Sequence, residues 1–404
     1  METYKGIQYL RNRLAIKKTR VNMRYDFYEM KFRTPDLGIS TPDDLRGWMS
    51  VLGWCGKAVD SIADRLCFVE FGNDAFDMND IFNANNKDVL IDSAILGALI
   101  SSCDFIYITT DKTGFPVMRV VDGRHATGII DPITNMLKEG YAVLEFDEYD
   151  EPITEAYFIT GNTMIYQNKR LVSVIQNSAP YPLLVPIINR PDAVRPFGHS
   201  RISRACMDIV GSAIRTVKRS EISAEFYSYP QRYVLGMDEN AEQMDKWRAT
   251  MSSMLRIDKD EDGDHPSIGQ FQQQSMTPHA DHLRMFAGLF SGETGLTLDD
   301  LGFPSQNPSS AEAIKSSHET LRLTARKAQK TFGTGLINAG YLAACVRDGM
   351  PYLRRQIADT TIRWAPIFEP DASAMSVIGD GAIKINQAIP GYLTEDKIQD
   401  LTGV

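Results

Sequence analysis

The densest cluster of potential metal-ligating side chains in the sequence is a short acidic turn. It contains the carboxylates Asp258, Asp260, Glu261, Asp262 and Asp264. The four aspartates have the spacing of positions 1, 3, 5 and 7 of an EF-hand calcium loop, with Gly263 at position 6. Position 12 should be a bidentate glutamate, but it is Gly269, and Pro266 would disrupt the exit helix. The sequence therefore favours a solvated turn, and we predict no metal and no other cofactor.

The remaining candidates for chemistry are few. His279 and His282 lie three residues apart and would share one face of a helix, but the sequence places no third metal ligand beside them. We find no P-loop, no dinucleotide-binding glycine motif after a strand, no nucleophile elbow and no HExxH motif. We therefore predict a protein without enzymatic activity.

Composition and charge limit the classes of protein to which the chain could belong. The chain has 404 residues, of which 43% are hydrophobic and 24% charged, and its formal net charge is −9. A protein that binds nucleic acid tightly over its whole surface is normally basic, so this chain either binds none or handles it without tight binding. No apolar run would span a membrane, and the first residues lack the apolar core of a signal peptide. Five widely spaced cysteines without a CxxC motif indicate reduced, mostly buried thiols made in a cytoplasm.

Apolar periodicity predicts an α+β domain in the first half of the chain. Helices are predicted at residues 50–67 and 88–101. Strands are predicted at residues 68–72, 105–109, 117–121, 140–146, 156–159, 164–167 and 171–176. Five prolines then indicate a boundary: Pro180, Pro182, Pro186, Pro191 and Pro196.

Basic side chains cluster in the first forty residues. They are Arg11, Arg13, Lys17, Lys18, Arg20, Arg24, Lys31 and Arg33. This pattern fits an exposed helix with a solvated face, and it also fits a helix that contacts an acidic neighbour.

Long helices dominate the second half. Helices are predicted at 199–228 and 277–291, with a small α/β unit at 231–276 between them. The longest, residues 309–347, would extend for about 57 Å at about 1.5 Å per residue. Three glycines should kink it or ease close packing: Gly333, Gly335 and Gly340. A strand at 359–364 and short helices at 372–387 and 394–401 follow.

A polar, proline-bracketed loop precedes the longest helix. Its residues include Asp299, Asp300, Phe303, Pro304, Ser305, Gln306, Asn307 and Pro308. The helix itself carries the basic residues Lys315, Arg322, Arg326, Lys327 and Lys330. Such a concentration in an acidic protein fits an element near a polyanion, although composition alone favours a plain exposed face. No motif for base-specific recognition is present.

Five short motifs occur in one characteristic order. They are AVDSIADRL at 58–66 followed by FG at 71–72, IFNANN at 81–86 leading into CDFIYI at 103–108, FGHSRI at 197–202, NPSSAEAI at 307–314, and TIRW at 361–364 with Pro366 and Pro370. In this order the chain, from about residue 44 to residue 404, resembles the portal (connector) proteins of tailed bacteriophages, in the subgroup typical of siphophages.

The resemblance implies a portal-type fold with named parts. The wing would comprise residues 1–197 and be joined again by 350–404, a C-terminal strand with short helices and a crown that is short or absent. Residues 198–229 and 277–295 would be paired stem helices, and 230–276 the clip between them. Residues 296–308 would be the tunnel loop, and 309–349 the long kinked helix behind it.

The resemblance also implies a role and partners. Subunits, commonly twelve, would form a ring at one capsid vertex and guide double-stranded DNA without sequence specificity during packaging and ejection. The polar loop would narrow the channel, and the basic helix residues would line or back it. The acidic clip residues would lie where partners dock. Those partners are further copies of the chain, major capsid and scaffolding proteins, the terminase large subunit and a head–tail adaptor. The location would be the virion, after synthesis in the bacterial cytoplasm, with no membrane contact.

Two alternatives remain open from the residues alone. The chain could be another structural component of the head–tail region or the tail. It could also be a metal-dependent nuclease that uses Asp258, Asp260 and Asp262.

Overall fold

The computed structural model describes residues 4–35, 47–228, 232–235, 267–270, 275–304, 316–368 and 372–402. The chain forms two compact units. The first consists of Met1–Phe32, Gly53–Met207 and Ser291–Val404, and the second of Arg33–Leu52 and Asp208–Phe290.

Helices and strands alternate along the first half, and helices dominate the second. The described helices are α1 (Ile7–Tyr28), α2 (Trp54–Ala63), α3 (Met78–Ala84), α4 (Lys87–Ser101), α5 (Arg204–Ser228), α6 (Thr277–Thr294), α7 (Glu319–Asp348), α8 (Ala372–Ala388) and α9 (Glu395–Thr402). The described strands are β1 (Phe68–Gly72), β2 (Cys103–Thr110), β3 (Pro116–Val121), β4 (Ala126–Ile130), β5 (Leu137–Phe146), β6 (Pro152–Ile159), β7 (Asn162–Gln167), β8 (Arg170–Gln176), β9 (Leu184–Ile188), β10 (Arg232–Leu235), β11 (Ser267–Gln270) and β12 (Thr361–Trp364). The mixed helix and strand architecture predicted for the chain is confirmed.

Antiparallel sheets organise the first unit. One has the strand order β3-β2-β9, another has the order β4-β5-β6-β7-β8, and β1 pairs with β12. Strand β2 is central in its sheet and buried over most of its length, with α4 packed against it. Helix α7 packs against β9 on the same sheet. Because both faces are covered, β2 is apolar at successive positions rather than alternating.

The proline-rich stretch after residue 179, which was predicted to mark a boundary, contains the strand β9, which was not predicted. Pro186 lies within β9, opposite Phe105 of β2. Strand β9 is at the edge of the sheet. Proline is tolerated there, because its missing N–H can lie on the side of the strand that has no hydrogen-bonded neighbour. Strand β4 was also not predicted.

Helix α1 is docked on the five-stranded sheet. Leu10 and Leu14 pack in one buried cluster with Tyr141, Val143 and Tyr157. The guanidinium of Arg11 donates to both carboxylate oxygens of Glu155, at 2.9 and 2.6 Å. The side chain of Glu155 is only 3% exposed. Of the two interpretations of the basic cluster, contact with an acidic neighbour is therefore right for Arg11, and the neighbour belongs to the same chain.

Helix α7 runs without interruption from Glu319 to Asp348, and its glycines allow close packing. A Cβ on Gly335 would lie 2.8 Å from Ile187 Cδ1 and 3.3 Å from the carbonyl oxygen of Pro186. A Cβ on Gly340 would lie 2.7 Å from Met78 Sδ. Of the two roles predicted for these glycines, the structure confirms eased packing at Gly335 and Gly340.

The second unit includes residues 208–228 of α5 and 277–290 of α6. The hydroxyl of Thr216 on α5 lies 3.3 Å from Nδ1 of His282 on α6. Trp48 Nε1 and Ser50 Oγ donate to the Glu221 carboxylate at 2.7 and 2.6 Å. Strands β10 and β11 pair antiparallel, with Tyr233 opposite Gly269.

Most predicted elements are confirmed, and boundary differences have local causes. Strands β1 and β3 and helices α4 and α6 lie where alternation and helical periodicity place them. Helix α2 is shorter than predicted and begins after Gly53. Helix α5 begins at Arg204 rather than at residue 199, because the N–H groups of His199 and Arg201 donate to the carbonyls of Asn189 and Leu99 instead.

Candidate functional site

The predicted channel loop begins with a tightly hydrogen-bonded turn. The N–H and the hydroxyl of Thr297 both donate to Asp300 Oδ2, each at 2.9 Å, and the N–H of Asp300 donates to Thr297 Oγ1 at 3.1 Å. Leu301 is buried, which anchors the turn. Gly302 ends it with a φ of 89°, a conformation that suits glycine. The first residues of the loop therefore have a fixed conformation.

The same aspartate also contacts the start of the long helix. His318 Nε2 lies 3.2 Å from Asp300 Oδ2. Burial raises the pKa of Asp300, but the hydrogen bonds from Thr297 and the charges of His318 and Lys57 outweigh it and hold the pKa below its ordinary value. Asp300 and His318, which flank residues 301–317 in the sequence, are therefore in contact.

The predicted loop and clip residues are only partly placed. Asp299 and Pro304 are exposed, and Phe303 is half-buried. Outside the described residues lie Ser305, Gln306, Asn307, Pro308 and Lys315, together with the clip carboxylates Asp258, Asp260, Glu261, Asp262 and Asp264.

The N-terminal half of α7 separates apolar from basic side chains. Its buried side includes Leu321, Ala325 and Ala328. Arg326, Lys327 and Lys330 are exposed on the other side. Arg322 donates to both carboxylate oxygens of Glu319 at 2.7 Å, and this hydrogen-bonded pairing raises its pKa. Three cationic side chains are therefore presented outward, whereas Arg322 is paired within its own helix.

A half-buried arginine fixes the helix end that leads into the loop. Arg201 donates through Nε to the carbonyl of Ala58 at 3.2 Å and through a terminal nitrogen to the carbonyl of Thr294, the last residue of α6. Nearby, Ser203 Oγ donates to Glu293 at 2.7 Å. Burial lowers the pKa of Arg201. A cation at a helix C-terminus is favoured by the exposed carbonyls and the helix dipole.

The motif that contains Arg201 is a packed turn. Gly198 has a φ of 72°, and a Cβ there would overlap the carbonyl oxygen of Asn189. Asn189 accepts the N–H of His199 and its side chain donates to the His199 carbonyl, both at 2.8 Å. Ser200 Oγ donates to the Ile100 carbonyl at 2.6 Å. The motif thereby joins the end of β9 to the end of α4. The sequence showed this motif, but not its partners.

Sequence analysis also missed the buried carboxylates. Asp104 accepts hydrogen bonds from Ser101 Oγ and the N–H of Gly123, both at 2.9 Å. Burial, with the nearby charge of Asp122, raises the pKa of Asp104 to about 8. Asp122 has its pKa lowered to about 2, because hydrogen bonds from His125 and Arg124 outweigh burial. Strong apolar patterning around Asp104 was the available signal, since a charged residue in a buried strand needs partners.

An uncharged groove lies between β2, the ends of β7 and β8, and the end of α7. Its volume is about 480 Å³. Thr163 Oγ1 and Asn177 Nδ2 are buried beside it and have no hydrogen-bond partner among the described residues. The described lining contains no Asp, Glu, His, Lys, Arg or Cys, and its one phenol belongs to Tyr107, a buried residue of β2.

Other predicted groups are dispersed in the part of the chain that the structure describes. There, no three His, Cys, Asp or Glu residues are arranged to hold a metal ion. No described helix has the length and apolarity needed to cross a membrane. Four cysteines are buried, and Cys67 is exposed, which confirms that the thiols are mostly buried.

Comparison with known proteins identifies sequence relatives. No protein-family model matches the chain. The portal protein of Mycobacterium phage L5 is 23% identical over 343 residues, which cover 80% of this chain and 70% of that protein. The portal protein of Mycobacterium phage D29 matches with the same identity and coverage. The resemblance inferred from the motif order is thereby confirmed: the chain is similar in sequence to proteins named portal protein from two Mycobacterium phages.

Solved structures show a weaker likeness. A chain in a virion of a native gene transfer agent particle has a TM-score of 0.48 at 13% identity, covering 95% of this chain and 99% of that one. A chain in the neck of a native gene transfer agent particle, computed with C12 symmetry, has a TM-score of 0.47 at 14% identity, covering 87% and 89%.

Proposed function

We propose that this chain is a structural portal protein. Copies of it assemble into a closed ring, of twelve subunits by analogy with the family, at one vertex of a phage capsid. Double-stranded DNA passes through the ring during packaging and ejection. The observation that carries this proposal is the sequence relationship, over 80% of the chain, to proteins named portal protein.

The charge of the chain fits a conduit. DNA that must slide cannot be held by many phosphate contacts, because each neutralised phosphate adds to a salt-dependent affinity. The net charge of −9 keeps the protein as a whole from attracting DNA strongly. The exposed Arg326, Lys327 and Lys330 would supply a sparse local attraction. This balance supports guidance of a duplex without tight binding.

In this proposal the portal parts occupy the segments expected from the family. Residues 1–197 and 350–404 form the wing, 198–229 and 277–295 the stem, 230–276 the clip, 296–308 the tunnel loop and 309–349 the helix behind it. The contact between Thr216 and His282 supports a pairing of the two stem helices. The contact between Asp300 and His318 supports a loop with a closed base.

The proposed partners follow from the same parts. The loop residues from Asp299 to Pro308 face the DNA, with the basic residues of the long helix lining or backing the channel. The clip carboxylates from Asp258 to Asp264 dock the terminase large subunit and later the head–tail adaptor. Major capsid and scaffolding proteins surround the ring. The energy for DNA movement comes from the terminase, not from this chain.

Electron microscopy and native mass spectrometry of the purified chain test the proposal. Rings with a central opening wide enough for a DNA duplex are expected. A chain that stays monomeric at high concentration under assembly conditions would contradict a portal. Rings with an opening too narrow for a duplex would favour another head–tail or tail component. Metal-dependent DNA cleavage that Asp260→Ala abolishes would favour the nuclease.

A further inference from the structure

Strand β8 is an edge strand with unusually exposed apolar side chains. All seven of its residues are exposed. Leu171 is 53% exposed, Val172 62%, Val174 47% and Ile175 40%. Since side chains alternate along a strand, these residues lie on both faces. Strand β7 pairs with one edge of β8, and no described strand pairs with the other.

Such a strand favours pairing with another chain. A long apolar edge exposes a row of backbone donors and acceptors and invites association. Native proteins usually cover or shorten such an edge, or place charges within it. Here the charges lie at one end, where the exposed Lys169 precedes the strand and the exposed Arg170 begins it. The surface of β8 is therefore apolar with a basic end.

A second surface of the same chain is complementary to it. The turn between β5 and β6 carries the exposed carboxylates Glu148, Asp150 and Glu151, with Tyr149 at its tip. Tyr149 is 85% exposed. Asp147 fixes the turn by accepting the N–H groups of Tyr149 and Glu151, both at 2.8 Å. The turn is therefore an ordered acidic projection with an exposed aromatic ring.

The two surfaces do not satisfy each other within one chain. In the sheet order β5-β6-β7-β8, the acidic turn and the basic end are separated by about two strand spacings, or about 10 Å. No ion pair joins them in the part of the chain that the structure describes. Opposite charge and exposed apolar groups at two different places define a head-to-tail contact, which closes into a ring when the rotation permits.

We propose that β8 of one copy docks the β5–β6 turn of a second copy of this chain. Tyr149 of the turn packs on the apolar side chains of β8, and its carboxylates face Lys169 and Arg170. The contact rests on the proposed function, because it supplies one of the contacts between neighbouring subunits of the ring. The similarity to portal proteins does not identify which surfaces of neighbouring copies meet, whereas the β8 contact does.

Cysteine cross-linking tests the geometry. In a background with Cys67→Ser, which removes the exposed native thiol, the pair Tyr149→Cys and Val172→Cys is introduced into one chain. Mild oxidation of the assembled protein should give a ladder of covalent multimers, because each subunit links to the next. Each single variant should give no ladder. Within one chain the β5–β6 turn and β8 are about 10 Å apart. A disulfide needs Cα atoms within about 7 Å, so residues 149 and 172 of one chain cannot form one.

A charge exchange tests the electrostatic part. The variant Lys169→Glu with Arg170→Glu should raise the protein concentration needed for assembly about tenfold, as should Glu148→Lys with Glu151→Lys. Combining all four changes should restore assembly toward the original. The matched control is Lys112→Glu with Arg119→Glu, which makes the same change in net charge at exposed positions of the first unit. The control should leave assembly unchanged, and added salt should reduce the effect of each exchange.

The outcomes separate the two proposals. If the unmodified chain forms no rings, the portal proposal fails, and the β8 contact fails with it. If rings form but the double-cysteine variant stays monomeric after oxidation, and the charge exchanges have no more effect than the control, the β8 contact alone is wrong. A ladder together with restoration by the fourfold variant supports both.

Discussion

The imidazole of His318 lies 3.2 Å from the carboxylate of Asp300, although the polar loop runs between them. The same carboxylate oxygen accepts two hydrogen bonds from Thr297. One side chain therefore fixes the turn that begins the loop and holds the helix that follows it. This arrangement gives the loop a defined base regardless of the conformation of its tip.

Removing the charge of Asp300 should weaken this base. We expect Asp300→Asn to lower the free energy of unfolding by about 1 kcal/mol at pH 7, because it removes the carboxylate that contacts His318 and weakens the hydrogen bonds from Thr297. The pKa of Asp300 is lowered by folding, so its stabilisation is present above the unfolded pKa of about 3.9 and is lost as the pH falls through the folded pKa.

Denaturant unfolding from pH 7 down to pH 3 measures this effect. The curves of the original chain and Asp300→Asn should converge on acidification. Asp359→Asn, an exposed change in the same unit, is the control and should stay within about 0.5 kcal/mol of the original. A constant difference at all pH values would mean that the charge of Asp300 is not responsible.

Shortening the loop should separate assembly from DNA handling. Deleting residues 304–308 removes polypeptide beyond the turn at Asp300, so ring formation should be retained. Packaging or retention of DNA should be impaired, because the proposed channel loop is lost. Particle imaging and nuclease protection of packaged DNA measure the two properties. Ser305→Ala with Gln306→Ala keeps the loop length and serves as the control. Loss of assembly with unchanged packaging would instead make the loop an interface element.

Gly198 should be intolerant of a side chain for two reasons. Its φ of 72° disfavours an L-residue, and a Cβ would overlap the carbonyl oxygen of Asn189. We expect Gly198→Ala to lower the free energy of unfolding by about 3 kcal/mol. Gly114→Ala is the matched control, because Gly114 has a φ of 87° with nothing within 4 Å of the added Cβ. The control should lose only about 1 kcal/mol from backbone strain. Equal losses in thermal or denaturant unfolding would show that the contact with Asn189 does not matter.

Asp104 should give the opposite pH dependence to Asp300. Folding raises its pKa to about 8, so its contribution to stability is full below the unfolded pKa of about 3.9 and is lost as the pH rises toward 8. Asn mimics the protonated acid and cannot ionise. Relative to the original chain, Asp104→Asn should therefore become progressively more stable as the pH is raised from 5 to 8. Parallel stability curves over this range would mean that Asp104 is ionised in the folded protein.

The local pattern of apolar residues was sufficient to predict some helices and strands but not others. Strand β3 buries alternate residues, and α4 is buried over most of its length. Their apolar residues therefore follow the periods of a strand and of a helix, which the sequence shows directly. Strand β9 was missed because a proline such as Pro186 argues against a central strand, and the sequence does not show which strand is at the edge of the sheet. Strand β4 was missed because Ala126 and Gly128 are of types depleted in strands, so the segment depends on its pairing with β5.

The sequence by itself determined the composition of the candidate site: a polar loop without catalytic groups, a basic helix after it, and an ordered series of motifs. These are properties of residue type and local order. Only the tertiary structure decided the partners, because they are far apart along the chain. Arg201 and Thr294 are separated by 93 residues, and Arg11 and Glu155 by 144. Contacts of this kind depend on how whole elements pack, and local periodicity carries no information about which distant carbonyl or carboxylate a side chain will meet.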